Sequence, residues 1–322
     1  MKITDKEGVA LKKRIVMRLL SLLFILFGLS IMTFGMMYLL PSDPIEMYAN
    51  NMGIGDKEVI EALRESYGMD QPFLVQYKNW LIKALHGDLG YSVLYNEPVN
   101  AVLSRRLPNT VKLACSSFAM LILISFPLGI LSAVYKNKLA DYVIRFMSFI
   151  GVSIPSFWFG MILIWIFGVR LKLLPITGSA SWQGQILPTL TLGVTMSAYY
   201  VRRIRAVMIQ QLGEDYIPGI KSRGVSRARI ILRHVLPNSL LAVVTMLGMT
   251  FGQLLGGTMI VEIIFNWNGI GKATMEAITN RDYMLVQGYV LWMGVIYVMI
   301  NLLVDTSYQF IDPRIRRGMV DA

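Results

Sequence analysis

Six runs of mostly apolar residues dominate the sequence: Leu19–Leu40, Thr110–Tyr135, Phe146–Val169, Ile186–Val201, Ser239–Ile264 and Val286–Asp305. A helix needs about 20 such residues to cross the hydrocarbon core of a bilayer. The fourth run is the most polar, carrying Thr189, Thr191, Thr195 and Ser197. The chain therefore reads as an all-α integral membrane protein with six transmembrane helices. Composition agrees, because 55% of its 322 residues are hydrophobic and only 16% charged, against roughly 25% charge in a soluble domain. So apolar a chain cannot stay disordered in water. One cysteine, Cys115, excludes an internal disulfide, and no Cys/His spacing fits a zinc module. The net charge of +11 lacks a polar domain on which a nucleic-acid surface would form.

The basic residues instead set an orientation. Twenty of the 31 Lys and Arg lie in the N-terminal segment, in the loops after the second and fourth runs, and in the tail. By the positive-inside rule this side is cytoplasmic, and both termini with it. Lys12, Lys13, Arg14 and Arg18 precede the first run as in a signal peptide. That run is too long for a signal core and lacks a small-residue cleavage site, so it is read as a retained span. The resulting division is a cytoplasmic N-terminus at 1–18, a first span at 19–40, an outer segment at 41–109, a five-span core at 110–305 with a cytoplasmic loop at 206–238, and a cytoplasmic tail at 306–322.

The outer segment is long enough to form a small helical lobe. Asp56 is placed to cap a helix running to Tyr67 with Gly68 as its left-handed stop, and Phe73, Tyr77, Trp80, Leu81 and Ala84 recur at helical spacing. A lobe of this length either braces the spans or docks an external partner.

The cytoplasmic loop after the fourth run reads Glu214-Asp215-Tyr216-Ile217-Pro218-Gly219-Ile220-Lys221-Ser222-Arg223-Gly224, followed after nine residues by His234-Val235-Leu236-Pro237. A helix, a glycine turn and a second helix ended by proline would form a short amphipathic rod suited to a cleft on a soluble partner. The spacing and position resemble the EAA loop of binding-protein-dependent ABC importer permeases. Pro218-Gly219-Ile220 stands at the Glu-Ala-Ala positions, a departure that disfavours helix there, and His234 replaces the usual aliphatic residue. The resemblance implies the type-1 ABC importer permease fold. It also implies that Glu214, Asp215, Tyr216, Gly224, His234, Leu236 and Pro237 couple the chain to an ATPase. The partners it implies are a second homologous permease, two cytoplasmic ABC ATPase subunits and an extracytoplasmic solute-binding protein, all working with the lipid bilayer and no nucleic acid.

Further segments are similar to the peptide/nickel branch of this family: Leu40-Pro41-Ser42-Asp43-Pro44, Tyr67-Gly68-Met69-Asp70-Gln71-Pro72, Gly87-Asp88-Leu89-Gly90, Glu262-Ile263-Ile264-Phe265, Arg281-Asp282-Tyr283 and Asp312-Pro313-Arg314. Gly256-Gly257-Thr258-Met259-Ile260 and Gly151-Val152-Ser153-Ile154-Pro155 look more like the nickel permeases than the oligopeptide ones. Nickel, free or chelated, is the expected cargo, with di- or oligopeptides as the alternative.

The residues themselves set further bounds. No phosphate-binding loop exists, since Gly271-Lys272-Ala273 lacks the first glycine and the hydroxyl residue. With only His86 and His234, acid–base or nucleophilic chemistry lacks its usual participants. The chain is therefore read as no enzyme, with no catalytic, cofactor-binding or metal-binding residue of its own. The runs carry no charge near mid-membrane, where a proton-coupled pump would place one. A passive channel would have little use for the basic cytoplasmic helix pair. Within the fifth run, Gly248, Gly252 and Gly256 repeat at the small-xxx-small spacing that lets helices approach, either within the subunit or at a permease seam. Thr250 and Gln253 lie near this stripe as candidates for lining the translocation path. The 21 methionines show no ligand spacing and read as packing.

Overall fold

A computed structural model describes residues 5–39, 45–46, 49, 52–66, 68–178 and 181–311. The segments Leu40–Pro44 and Asp312–Arg316, Tyr67, and the tail beyond Ile311 lie outside them. The described residues are mostly helical, and the chain divides into two compact units.

The first unit comprises residues 1–108 and 269–299. It contains α1 (Asp5–Leu39), α2 (Lys57–Ser66), α3 (Phe73–Leu85), a two-residue hairpin of β1 (Tyr91–Ser92) and β2 (Glu97–Pro98), and the first turns of α4 (Val99–Val134). Asp56 Oδ1 accepts the Glu58 amide at 3.0 Å, and Gly68 takes φ +66°, as the sequence predicts for the two ends of α2. On α3 the aromatic spacing does what it promises. Tyr77 and Trp80 are buried, and Phe34 of α1 meets Phe73, Tyr77 and Trp80 at ring separations of 5.4–5.9 Å. Ser30 shares a 2.9 Å hydrogen bond with the Tyr77 hydroxyl. The helical lobe is thus pinned to the first apolar helix by rings and one buried polar pair. A second cluster joins Val99, Val102 and Leu103 to Ile270, Ala277, Leu285 and Val286.

The second unit comprises residues 109–268 and 300–322. Beyond the rest of α4 it holds α5 (Leu139–Ser153), α6 (Ser156–Leu163) running on as a π-helical turn (Ile164–Arg170), and α7 (Trp182–Leu212). Next come α8 (Tyr216–Ser222), α9 (Arg227–Ile230), a π-helical turn (Ile231–Val235), α10 (Leu236–Gly257) and α11 (Met259–Ile264). The chain then returns to the first unit through α12 (Ile270–Thr279) and α13 (Tyr283–Ile311).

Among the described residues, four helical stretches are long and apolar enough to cross a membrane: Leu20–Leu39, Val99–Val134, Arg227–Gly256 and Tyr283–Leu303. The third predicted run is not one straight span. It is broken between α5 and α6 by a bend of 100°. Pro155 has no amide to donate and crowds the residue before it, driving Ile154 to φ −85°, ψ 124°. Each arm has 15 residues, about 22 Å, short of the ~30 Å hydrocarbon core. The fourth run lies within the 31-residue α7, which falls short in apolarity rather than length. Thr189 shares a 2.8 Å hydrogen bond with Ser116 of α4, and the other three hydroxyls are satisfied inside the helix. Thr191 donates to Leu187 O at 2.8 Å, Thr195 to Thr191 O at 2.7 Å, and Ser197 to Gly193 O. A hydroxyl that bonds the preceding turn costs little to bury, and this is how a threonine-rich helix sits among apolar neighbours.

Candidate coupling surface and translocation cavity

The loop singled out by sequence folds as a compact shelf on the second unit. Contrary to expectation, Tyr216–Ser222 is helical despite Pro218 and Gly219. Pro218 is the third residue of α8, within the first turn, where amides have no intrahelical acceptor and a missing N–H costs nothing. Ile217 and Ile220 turn inward with Val225 onto a core of Leu121, Tyr200, Ile204, Met208, Ile230 and Val235. Each half-buried isoleucine contributes about 1 kcal/mol of anchorage. Tyr216 is the polar tether: its hydroxyl lies 3.2 Å from Asn238 Nδ2 of α10 and 3.4 Å from Gln211 Oε1 of α7.

Gly224 turns the chain at φ +76°, and its amide donates to Lys221 O at 3.0 Å. The second expectation that needs correction concerns Pro237, which does not end a helix. It is the second residue of α10, and the π-helical turn of Ile231–Val235 directly before it widens the backbone where the proline would otherwise break an i to i−4 bond. His234 sits half-buried in that turn, and Leu236 packs on the core below. The predicted loop of 206–238 is therefore helical at both margins.

Outward, the shelf shows Glu214, Asp215, Lys221, Arg223, Arg229 and Arg233, all exposed. Neither acid forms an ion pair among the described residues, so both remain free for a partner. The shelf is held from beneath by groups that sequence reading passed over. Arg227 Nη2 donates to Val134 O at 2.6 Å, at the end of α4. Asp141 of α5, fully buried, takes both prongs of Arg205 from α7 at 2.7 Å each, the Ser132 hydroxyl at 2.5 Å and the Asn137 amide at 2.9 Å. Asn137 stands at φ +62° to present that amide. Three helix ends are thereby fastened by one carboxylate.

The far end of the same unit is fastened too. Glu262, also fully buried, accepts Thr110 Oγ1 at 2.6 Å and Thr258 Oγ1 at 3.1 Å, while Trp267 Nε1 donates to Asn109 O at 3.0 Å. From Thr110 to Val134 the helix α4 rises about 36 Å, a membrane thickness between the two fastened ends.

Between these ends lies a cavity of about 520 Å³. Its walls are Ile154 at the bend, Tyr199 and Arg203 of α7, and Met246, Thr250 and Gln253 of α10 among others. Thr250 and Gln253, singled out from sequence, thus face one space. Thr250 is buried and spends its hydroxyl on Met246 O at 2.9 Å, whereas Gln253 is exposed to the cavity without a hydrogen-bond partner among the described residues. Gly248, Gly252 and Gly256 follow a stripe about a third of a turn away on α10. Gly252 is buried and Gly256 faces open space. The one sequence signal for Arg203 as a cavity residue was its spacing of four from Tyr199, which puts both on one helical face.

Fastened helix ends, a cavity between them and an exposed helical shelf define a membrane transport subunit. Residues 125–317 match the model of the binding-protein-dependent transport system inner membrane component, and residues 11–114 that of the binding-protein-dependent transport system membrane component N-terminal region. The chain belongs to this family, and is the multi-pass cell-membrane permease of an ABC importer. It is 37% identical over 302 residues to the glutathione transport system permease protein GsiC of Escherichia coli strain K12, covering 94% of this chain and 98% of the relative. The GsiC of Shigella flexneri serotype 5b (strain 8401) matches to the same extent. In fold the chain is similar to the inward-facing MetNI methionine ABC transporter, with TM-score 0.53, 15% identity and coverage of 66% and 96% of the two chains. It is likewise similar to an amino acid ABC transporter solved with histidines, with TM-score 0.52, 17% identity and coverage of 67% and 94%. The fold is that of the type-1 importer permeases. The expected nickel cargo finds no support among these proteins, and the two permeases are named for glutathione transport.

Proposed function

We propose that this chain forms half of the translocation pathway of an ATP-driven importer of short peptides. The observation that carries the peptide reading is the near full-length relationship to permeases named for glutathione transport. In this reading the chain crosses the membrane six times with both termini in the cytoplasm. It pairs with a second homologous permease, receives cargo from an extracytoplasmic solute-binding protein, and engages two cytoplasmic ATPase subunits that hydrolyse ATP in its stead. The shelf of α8 and α9, built on Tyr216, Gly224, Leu236 and Pro237 and edged by Glu214, Asp215 and His234, docks into an ATPase. ATP-driven closure of the ATPases pushes this shelf and reorients the helices around the cavity at Thr250 and Gln253.

Cargo is decided by reconstituting the permease pair, ATPases and binding protein in proteoliposomes and measuring uptake with and without ATP. ATP-dependent accumulation of a labelled tripeptide, with no accumulation of nickel under the same conditions, is the expected result. Nickel uptake without peptide uptake would sink the peptide reading and restore the metal one.

A further inference from the structure

Two arginines on α7 stand two residues apart and meet opposite fates. Arg205 is neutralised by the buried Asp141. Arg203 has no carboxylate partner among the described residues. Its Nε and Nη2 both donate to the Tyr199 hydroxyl, at 3.0 and 2.6 Å, and its guanidinium lies 5.1 Å from the centre of the same ring. This hold fixes the plane of the guanidinium at the cavity wall and leaves its remaining N–H groups without acceptors. A guanidinium presents five donors in a flat fork suited to a carboxylate.

The same cavity offers what the rest of a short peptide needs. Gln253 supplies an amide donor and acceptor that bond nothing else among the described residues, and Met246 and Met249 supply soft apolar wall. A volume of about 520 Å³ falls in the range of small-molecule sites. We infer that Arg203, steadied by Tyr199, receives a carboxylate of the peptide as it passes through this cavity, with Gln253 bonding its backbone. The chain would then discriminate among cargoes by their negative charge, beyond whatever the binding protein selects. This rests on the peptide reading above.

The test uses the full complex in proteoliposomes, supplied with saturating binding protein loaded with a tripeptide or with the same tripeptide amidated at its C-terminus. Arg203→Gln keeps a donor for Tyr199 but removes the charge. It is expected to lower uptake of the free-acid tripeptide about tenfold relative to the amide, the loss expected of one charge-assisted hydrogen bond. Arg203→Lys should recover most of that preference, and Arg202→Gln, one position along the helix, should leave it unchanged. An equal fall for both peptides with Arg203→Gln, or no fall for either, would overturn the inference while wild-type peptide uptake leaves the peptide reading standing. If the wild type loses uptake of both peptides equally in vesicles of phosphatidylcholine alone, which lack anionic lipid, the guanidinium serves an anionic lipid headgroup and the inference is wrong. Failure of the wild-type complex to import either peptide overturns the peptide reading and this inference with it.

Discussion

Replacing Gly224 separates shape from charge at the proposed coupling surface. Its φ of +76° is left-handed, where an L-residue costs roughly 1–2 kcal/mol. A Cβ added there meets nothing within 4 Å, so crowding adds nothing and the whole cost is backbone strain. That strain is comparable with the anchorage of α8 by Ile217 and Ile220, about 1 kcal/mol each. The turn therefore relaxes in a large fraction of molecules while the buried core of Ile230, Ile231 and Val235 keeps the chain folded. Gly224→Val, β-branched, should lower the ATPase stimulation produced by loaded binding protein about three- to tenfold in the reconstituted complex, since 1.4 kcal/mol is a factor of ten. Gly224→Asn and Gly224→Asp enter the left-handed region more readily and should do less, and to similar extents. Co-purification of the partner permease with each variant checks assembly. Full stimulation in Gly224→Val would show that the shelf is not the transmitting element. A dead Gly224→Asp beside a normal Gly224→Asn would show that charge, not shape, governs the contact.

Removing the charge at Asp141 tests the clamp beneath the shelf. Asp141→Asn leaves Arg205, only 19% exposed, without its counter-charge, at a cost of about 3 kcal/mol; melting of the detergent-purified permease should shift down, and Asp141→Asn combined with Arg205→Met should regain much of the loss. A double variant no more stable than the single would mean the pair is not the source. For orientation, cysteines placed at the exposed Asn79 and Arg229 in a Cys115→Ser background should react with an impermeant thiol reagent from opposite sides, Asn79→Cys in intact cells. The reverse pattern would invert the orientation drawn from the basic residues.

Apolar run length was enough to find the long helices, because lipid leaves a backbone few other choices. Aromatic spacing on Phe73–Leu85 was enough to place Tyr77 and Trp80 inside. The proline positions misled for one shared reason. A proline's effect depends on which amide its neighbours need, and sequence shows the proline but not the register. Pro218 falls in a first turn, Pro237 follows a π-helical turn, and Pro155 alone breaks a helix. The carboxylate clamp was invisible for a different reason. Asp141 and Arg205 are 64 residues apart, and nothing local marks either as buried. The sequence marks Arg203 only as one basic residue among several, since whether an arginine faces a cavity or a carboxylate is settled by packing.

The placement of the fastenings bears on how a push on the shelf travels. In the second unit, α4 is held at Thr110 by Glu262 and at Val134 by Arg227, so a displacement at either end is passed to its length. α7 is tied to the same end through Arg205 and Asp141, and to α10 by the hydrogen bond from the Tyr200 hydroxyl to Met246 O at 3.1 Å. A load on α8 therefore enters several helices together, as transmission through discrete packed arrangements requires. Among the described residues, the bend at Ile154 and Pro155 carries no such tie, and the proline nitrogen there has no proton to donate. Ile154 is also a wall of the cavity. On the proposed reading, stiff helices deliver the displacement and the bend absorbs it, which changes the cavity at the place where Arg203 and Gln253 meet the cargo.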